Sequence, residues 1–167
     1  MGAPLPRDPI ADARRNWELH GWGEVAAPMA AITAIMRTQQ ILMARIEDVL
    51  KPLGLTFSRY EMLALLSFAR TGALPMSKAS ALLQVHPTSV TNAVDRLETA
   101  GYVERTRHPT DGRTTLIELT ADGRALTEKA TAALNAEVFG RSGFTSVDVE
   151  DLLRILSDFR RQAGDFA

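Results

Sequence analysis

The stretch HPTSVTNAVDRLETAGYVERTRHPTDGR, residues 86–113, carries the tripeptide His-Pro-Thr at both ends and holds two of the three histidines in the chain. Paired imidazoles suggest a metal site or a general base. The hydroxyls, amide and arginines between them suggest hydrogen bonding to bases and phosphates. Two histidines without a neighbouring carboxylate or thiolate cluster make a poor ligand set. The chain has no cysteine, which excludes disulfide scaffolds, thiolate nucleophiles, cysteine-rich zinc sites and thiol-based peroxide sensing together. It also lacks a Gly-x-Ser-x-Gly elbow, a glycine-rich phosphate loop and a His-Glu-x-x-His pattern, so neither an enzyme nor a cofactor is expected. What remains is recognition chemistry, and it must be carried by the elements around the two tripeptides.

Those elements belong to a chain of 167 residues, 46 % apolar, enough for one compact domain or a small domain with attached helices. With a net charge of −1, no overall basic field points to nucleic acid, so such binding requires a local patch. No apolar run approaches the roughly 18 residues of a membrane span, and MGAPLPRDPIADARR does not resemble a signal peptide. A cytoplasmic protein without a membrane partner is expected, nucleoid-associated when bound to DNA.

Residues 1–9 read as a loose arm, followed by a short helix from Ile10 to His20 that HGWGE breaks. From Met29 to Leu50 the apolar residues Met29, Ile32, Met36, Met43, Ile46 and Leu50 follow a heptad seam, with Gln39 as the polar intruder, and Pro52 and Gly54 end the helix. Ser58 to Glu61 has a capping-box pattern opening a second long helix through Ala69, which Gly72 and Pro75 close. Ser77 is placed as the cap of a short third helix, SKASALLQ, and Pro87 as the first residue of a fourth that Gly101 stops. Residues 102–107 and 114–119 alternate as strands around HPTDGR, whose Asp-Gly is a hairpin signal. Thr120 is expected to cap a further helix, FGRSGF to break it, and Thr145 or Ser146 to open the last.

The first His-Pro-Thr is therefore a helix start and the second a hairpin tip, and the repetition reads as coincidental reuse of turn-forming residues. A short helix, a turn and a second helix with its own apolar stripe is the arrangement that lays the second helix in a DNA major groove. In the fourth helix Val90, Ala93, Val94 and Leu97 share one face, leaving Thr88, Ser89, Asn92, Asp95, Arg96 and Thr99 outside. Asn can bond adenine bidentately, Thr can touch a thymine methyl, and Ser or Thr can reach bases or phosphates. An ordinary solvated helix face has the same composition. The hairpin shifts the balance, because Arg105, Arg107, His108 and Arg113 fall together on a ribbon suited to a narrow, negative minor groove. Asp111 is placed to hold the Arg113 guanidinium.

The series Val-Asp-Arg-Leu-Glu, Ala-Gly-Tyr-Val-Glu-Arg, Asp-Gly-Arg and Leu-Thr at this spacing resembles the MarR (multiple antibiotic resistance regulator) family of winged-helix transcription factors, over about Met29 to Phe159. The resemblance implies a mainly α (α+β) fold, a winged helix-turn-helix with a two-stranded β wing plus N- and C-terminal dimerisation helices. It implies an N-terminal arm at 1–26 and a single domain at 27–167, with the winged helix at 56–119 and dimerisation helices at 27–50, 120–139 and 145–163. Thr88, Ser89, Thr91, Asn92 and Arg96 match recognition-helix positions, and Arg113 with Asp111 matches the wing-tip pair; Ser77, Lys78, Arg105, Arg107 and His108 complete the expected DNA surface. Asp95 and Leu97 are assigned to packing and orientation of the helix. Gln84 stands where many helix-turn-helix proteins have glycine, which suggests a modified turn.

A dimer presenting two reading helices to successive major grooves, roughly 34 Å apart, would read a pseudo-palindromic operator. The first helix and the last two are too apolar to stand alone, so a homodimer is expected. The family's habit implies a ligand-responsive repressor releasing DNA on binding a small aromatic acid, a phenol or an acyl-coenzyme A ester. By composition alone, the candidate effector lining is Trp17, His20, Trp22, Met36, Arg37, Gln40, Tyr60 and Met62. Those methionines also suit plain core or dimer seam, and Arg37 a solvated helix surface. A winged helix that serves as a protein-interaction module without DNA affinity is the alternative, since Asp95, Glu98, Glu104 and Asp111 offset the local cations.

Overall fold

Asp8 accepts the N–H of Ile10 at 2.9 Å and Pro9 takes the first helical position, so α1 (Pro9–Leu19) starts on two residues suited to that end in a computed structural model that describes residues 4–83, 86–111 and 113–167. The expected turn at Gln84 and the Gly112 of the hairpin lie outside the described residues. The break after α1 is only His20 to Trp22, and α2 (Gly23–Leu50) begins six residues before Met29 and passes through Pro28. An interior proline lacks the N–H that would bond the carbonyl four residues back, and read in sequence it looks like a barrier rather than a helical residue. The expected boundary after residue 26 therefore falls inside a helix.

Two compact units are formed, Met1–Phe57 and Ser58–Ala167. In the first, α1 packs on α2 and Ala26 is buried. The heptad seam divides: Ile46 and Leu50 are buried, whereas Ile32 is 61 % and Met36 60 % exposed. No described helix is long and apolar enough to cross a membrane.

The second unit begins with α3 (Phe57–Phe68), so Ser58 stands inside the first turn rather than at the cap. Strand β1 (Ala73–Pro75) follows, then α4 (Met76–Leu83), in which Ser77 is likewise a helical residue and not the cap. Next come α5 (Pro87–Thr99), β2 (Val103–Arg107), β3 (Thr115–Leu119), α6 (Ala121–Glu137) and α7 (Ser146–Gln162). The sheet is antiparallel in the order β1-β3-β2, with Leu74 and Arg105 both opposite Ile117. The wing thus has a third strand where the sequence pattern indicates only the end of a helix. Three residues ending in proline carry too little alternation to be recognised, and only the partner β3 makes them a strand.

The remaining boundaries follow local chemistry. Gly101 adopts φ +77° after α5, a conformation glycine takes without penalty. Thr120 accepts the Gly123 N–H at 3.0 Å as the cap of α6. Gly123 is required for another reason as well: a Cβ there would stand 2.0 Å from the carbonyl oxygen of Tyr102. Thr145, rather than Ser146, caps α7 in a reciprocal capping box with Asp148. Apolar side chains from six elements fill the unit's interior: Leu63 and Leu66 of α3, Ala79 of α4, Val90, Val94 and Leu97 of α5, Val103 of β2, Ile117 of β3 and Leu134 of α6 are all buried. By contrast α7 has no buried residue, and its apolar side chains, including Leu153 and Phe159, the latter 69 % exposed, face outward.

Candidate nucleic-acid interface

With Val90, Val94 and Leu97 buried, the 3.6-residue period turns Thr88, Ser89, Thr91, Asn92, Asp95, Arg96 and Thr99 outward along α5. Asn92, Asp95, Arg96 and Thr99 line an open depression of about 510 Å³ on that helix. His86 caps α5 by accepting the Thr88 N–H on Nδ1 at 3.3 Å, while Pro87 supplies the first helical residue. The polar face is thereby held from its first turn.

The wing is closed by a parallel piece of chemistry. His108 Nδ1 accepts the N–H groups of Thr110 at 3.3 Å and Asp111 at 3.2 Å. The His108 N–H in turn donates to the Thr114 carbonyl at 3.0 Å. Both His-Pro-Thr tripeptides thus make the same bond, from the N–H two residues on to the imidazole, because the intervening proline has none to offer. The repeat is a reused capping device, a more specific outcome than coincidental reuse of turn formers.

Asp111 does something different from its expected role. Its carboxylate accepts the Thr114 hydroxyl at 2.7 Å and the Arg113 backbone N–H at 3.1 Å, and leaves the guanidinium alone. These bonds, the Thr114 hydroxyl foremost, hold its pKa below the ordinary carboxylate value. Asp111 therefore shapes the turn, and the Arg113 side chain forms no ion pair among the described residues.

Arg105 also departs from expectation. Its guanidinium pairs with Glu98 and Asp95 of α5, its backbone N–H donates to Glu98 at 3.1 Å, and its side chain is 27 % exposed. Partial burial works to lower the arginine pKa, but the Asp95 and Glu98 bonds and charges outweigh it and the net shift is upward. This group ties wing to helix instead of standing free for a phosphate. Asp95 accordingly orients the helix, as assigned, and Glu98 joins it in that role.

Lys78, Arg96 and Arg107 carry no ion pair among the described residues. Lys78, Arg107 and His108 meet along a cleft of about 740 Å³ between α4, β1 and the wing. Arg70, just past the end of α3, lines the same cleft together with Glu118. Sequence reasoning misses Arg70 because no motif marks it; only pairing of β1 with β3 brings that end of α3 beside the wing. Ser77 is exposed in the first turn of α4.

The effector candidates divide between the two units. In the first, Trp17 and Trp22 meet edge to face at 5.3 Å, His20 stacks on Trp22 at 5.7 Å and donates from Nδ1 to the Asn16 carbonyl, and Arg37 donates to Gln40 at 3.1 Å. In the second, the Tyr60 hydroxyl meets Thr131 Oγ1 at 3.1 Å, tying α3 to α6. Met62 is a correction: it is fully buried, so it packs the interior and has no surface to offer a ligand.

The sequence profile of the MarR family matches residues 53–114. The crystal structure of Sco5413, a MarR family transcriptional regulator from Streptomyces coelicolor, is 48 % identical, covers 84 % of this chain and 97 % of its own, and superposes with a TM-score of 0.75. The chain belongs to the MarR family. As a MarR family protein it is a DNA-binding transcriptional regulator with a winged-helix fold, and not an enzyme. The HTH-type transcriptional regulator PapX of Escherichia coli is 39 % identical over 82 residues, 49 % of this chain, which spans half (50 %) of PapX. CouR from Rhodococcus jostii, solved bound to p-coumaroyl-CoA, is 26 % identical with a TM-score of 0.64, covering 75 % of this MarR family chain and 88 % of CouR.

Proposed function

We propose that this MarR family regulator reads a pseudo-palindromic operator as a homodimer and acts as a ligand-responsive repressor. The carrying observation is the exposed polar face of α5 beside a wing whose Arg107 and Arg113 form no ion pair among the described residues, with Lys78 on the neighbouring α4. Thr88, Ser89, Thr91, Asn92 and Arg96 are assigned to the major groove, Arg113 to the minor groove, and Ser77, Lys78 and Arg107 to phosphates, while His108 acts by closing the wing turn. Asp111 and Arg105 act through the turn and the helix they hold.

Dimerisation is assigned to segments 27–50, 120–139 and 145–163. The outward apolar side chains of α2 and α7 support this, since apolar surfaces of this extent on a monomer usually mark an interface. The effector is proposed to be a small aromatic acid, a phenol or an acyl-coenzyme A ester. Supporting it are the Trp17, His20 and Trp22 cluster and the thioester seen on CouR. Such a ligand acts only by favouring one spacing of the two reading helices over the other.

Fluorescence anisotropy on DNA from immediately upstream of the protein's own gene, against an unrelated duplex at two salt concentrations, tests the reading. Tight, salt-dependent, fragment-specific binding that aromatic acids or acyl-coenzyme A esters release is the expected result. Equal weak binding to both duplexes, persisting through selection from random sequences, would favour the protein-interaction module.

A further inference from the structure

We infer that His86 and His108 are positioning residues for DNA recognition, each ordering its element through an unprotonated Nδ1 that accepts backbone N–H groups. The inference rests on the DNA-binding reading proposed above.

The twin geometry carries it. In each tripeptide the proline removes one N–H, so the first donor after the histidine belongs to the threonine, and in both cases that donor points at Nδ1 at 3.3 Å. At the wing the same nitrogen also receives the Asp111 N–H at 3.2 Å and lies 3.3 Å from the Thr110 hydroxyl. Nδ1 is bonded to Cγ as the amide oxygen of asparagine is, so histidine performs here the job asparagine performs at a helix cap or turn. One such histidine stands two residues before Thr88, which is exposed in the first turn of α5, and the other three residues before Asp111. The unfilled donors of a helix start and the N–H groups of a tight turn are where local opening begins. Holding both keeps the groove-facing side chains in one geometry before DNA arrives, and an ordered site loses less freedom on binding.

The assignment fixes the tautomer. A ring nitrogen that accepts an N–H carries no proton, so in the neutral ring the proton resides on Nε2 in both histidines.

The test uses the full chain and the duplex that the wild type prefers over unrelated DNA. Asparagine keeps an acceptor at the Nδ1 position, glutamine moves its amide to the Nε2 position, and alanine has neither. Expected affinity losses are about fivefold for H86A or H108A alone, from the usual worth of a cap. H86Q/H108Q should lose as much as the double alanine variant, and H86N/H108N should stay within about twofold of wild type. Circular dichroism of each variant checks that the fold persists. Imidazole nitrogen resonances of the free protein should show both rings as the Nε2–H form. Wild-type affinity in the double alanine variant, glutamine rescuing as well as asparagine, or a proton on Nδ1 would overturn the inference while leaving DNA binding intact. A wild type that prefers no duplex would instead sink the DNA-binding reading, and this inference with it.

Discussion

Asn92 and Arg113 present different chemistry to a duplex, and their substitutions should fail differently. Asn92 is a short amide on the exposed face of α5, whereas Arg113 is an exposed cation in the turn that Asp111 holds. Arg113→Ala is expected to weaken every duplex nearly uniformly. Asn92→Ala should relax preference at one base position, by about 1–3 kcal/mol of discrimination. Competition titrations against single-base operator variants separate the two, and unchanged affinity in both proteins would discard the docking arrangement. Asp111 gives a pH prediction. Its pKa is depressed in the folded state by the Thr114 hydroxyl and the Arg113 N–H, so its contribution is complete above the ordinary carboxylate value and fades as pH falls through the depressed one. Exchange protection of the Arg113 amide should therefore hold at neutral pH and drop only in acid, whereas Asp111→Asn should reduce that acid sensitivity. The hydroxyls and amide of α5 were legible from period alone, because a 3.6-residue repeat sorts a helix into faces without reference to other elements.

Between elements, the decisive link is Arg105 of β2 with Glu98 and Asp95 of α5. It joins α5 to the wing across the Gly101 turn, so the two elements assigned to DNA are set relative to each other by charge as well as by the core. A double-mutant cycle of Glu98→Ala and Arg105→Ala in urea unfolding should give a coupling of about 1 kcal/mol, modest because the carboxylates are partly solvated. Loss of operator affinity in Arg105→Ala should exceed what that stability change alone accounts for; equal affinity would show that the link holds the fold and not the interface. From the sequence, Arg105 is one arginine among several on a ribbon. Its direction depends on where α5 lies across the sheet, and Asp95 is ten residues away in the chain.

At the scale of the whole molecule, cations that form no ion pair among the described residues and exposed apolar side chains mark two different surfaces. Arg70 and Lys78 share the cleft beside the wing with Arg107 and His108. If that cleft follows a phosphate strand, Arg70→Ala with Lys78→Ala should reduce the slope of log affinity against log salt by about 0.9 for each phosphate no longer neutralised, without altering base preference. An unchanged slope would remove both residues from the interface. On α7, Leu153 and Phe159 are exposed apolar groups that a second copy would cover. Leu153→Glu with Phe159→Glu is expected to shift sedimentation toward the monomer and to cost palindromic DNA binding more than half-site binding, since a dimer couples two half-sites. A dimer that survives this double substitution would place the interface elsewhere.

Sequence alone placed α5, the two hairpin strands of the wing and the capped helices, apart from shifts at Ser58, Ser77 and Met29. Those features depend on neighbours within one or two turns: Pro87 at a helix start, Gly101 after its end, Thr120 and Thr145 at caps. Tertiary structure decided what depends on residues distant in the chain. It made Ala73–Pro75 a strand by giving it β3 as a partner, turned Arg105 toward α5, and brought Arg70 to the wing. It also divided the α2 seam into a buried end at Ile46 and Leu50 and an exposed stretch at Ile32 and Met36. A heptad pattern says that a helix face must be covered, but apolar area is non-directional, so only the packed chain decides which part is covered by its own elements.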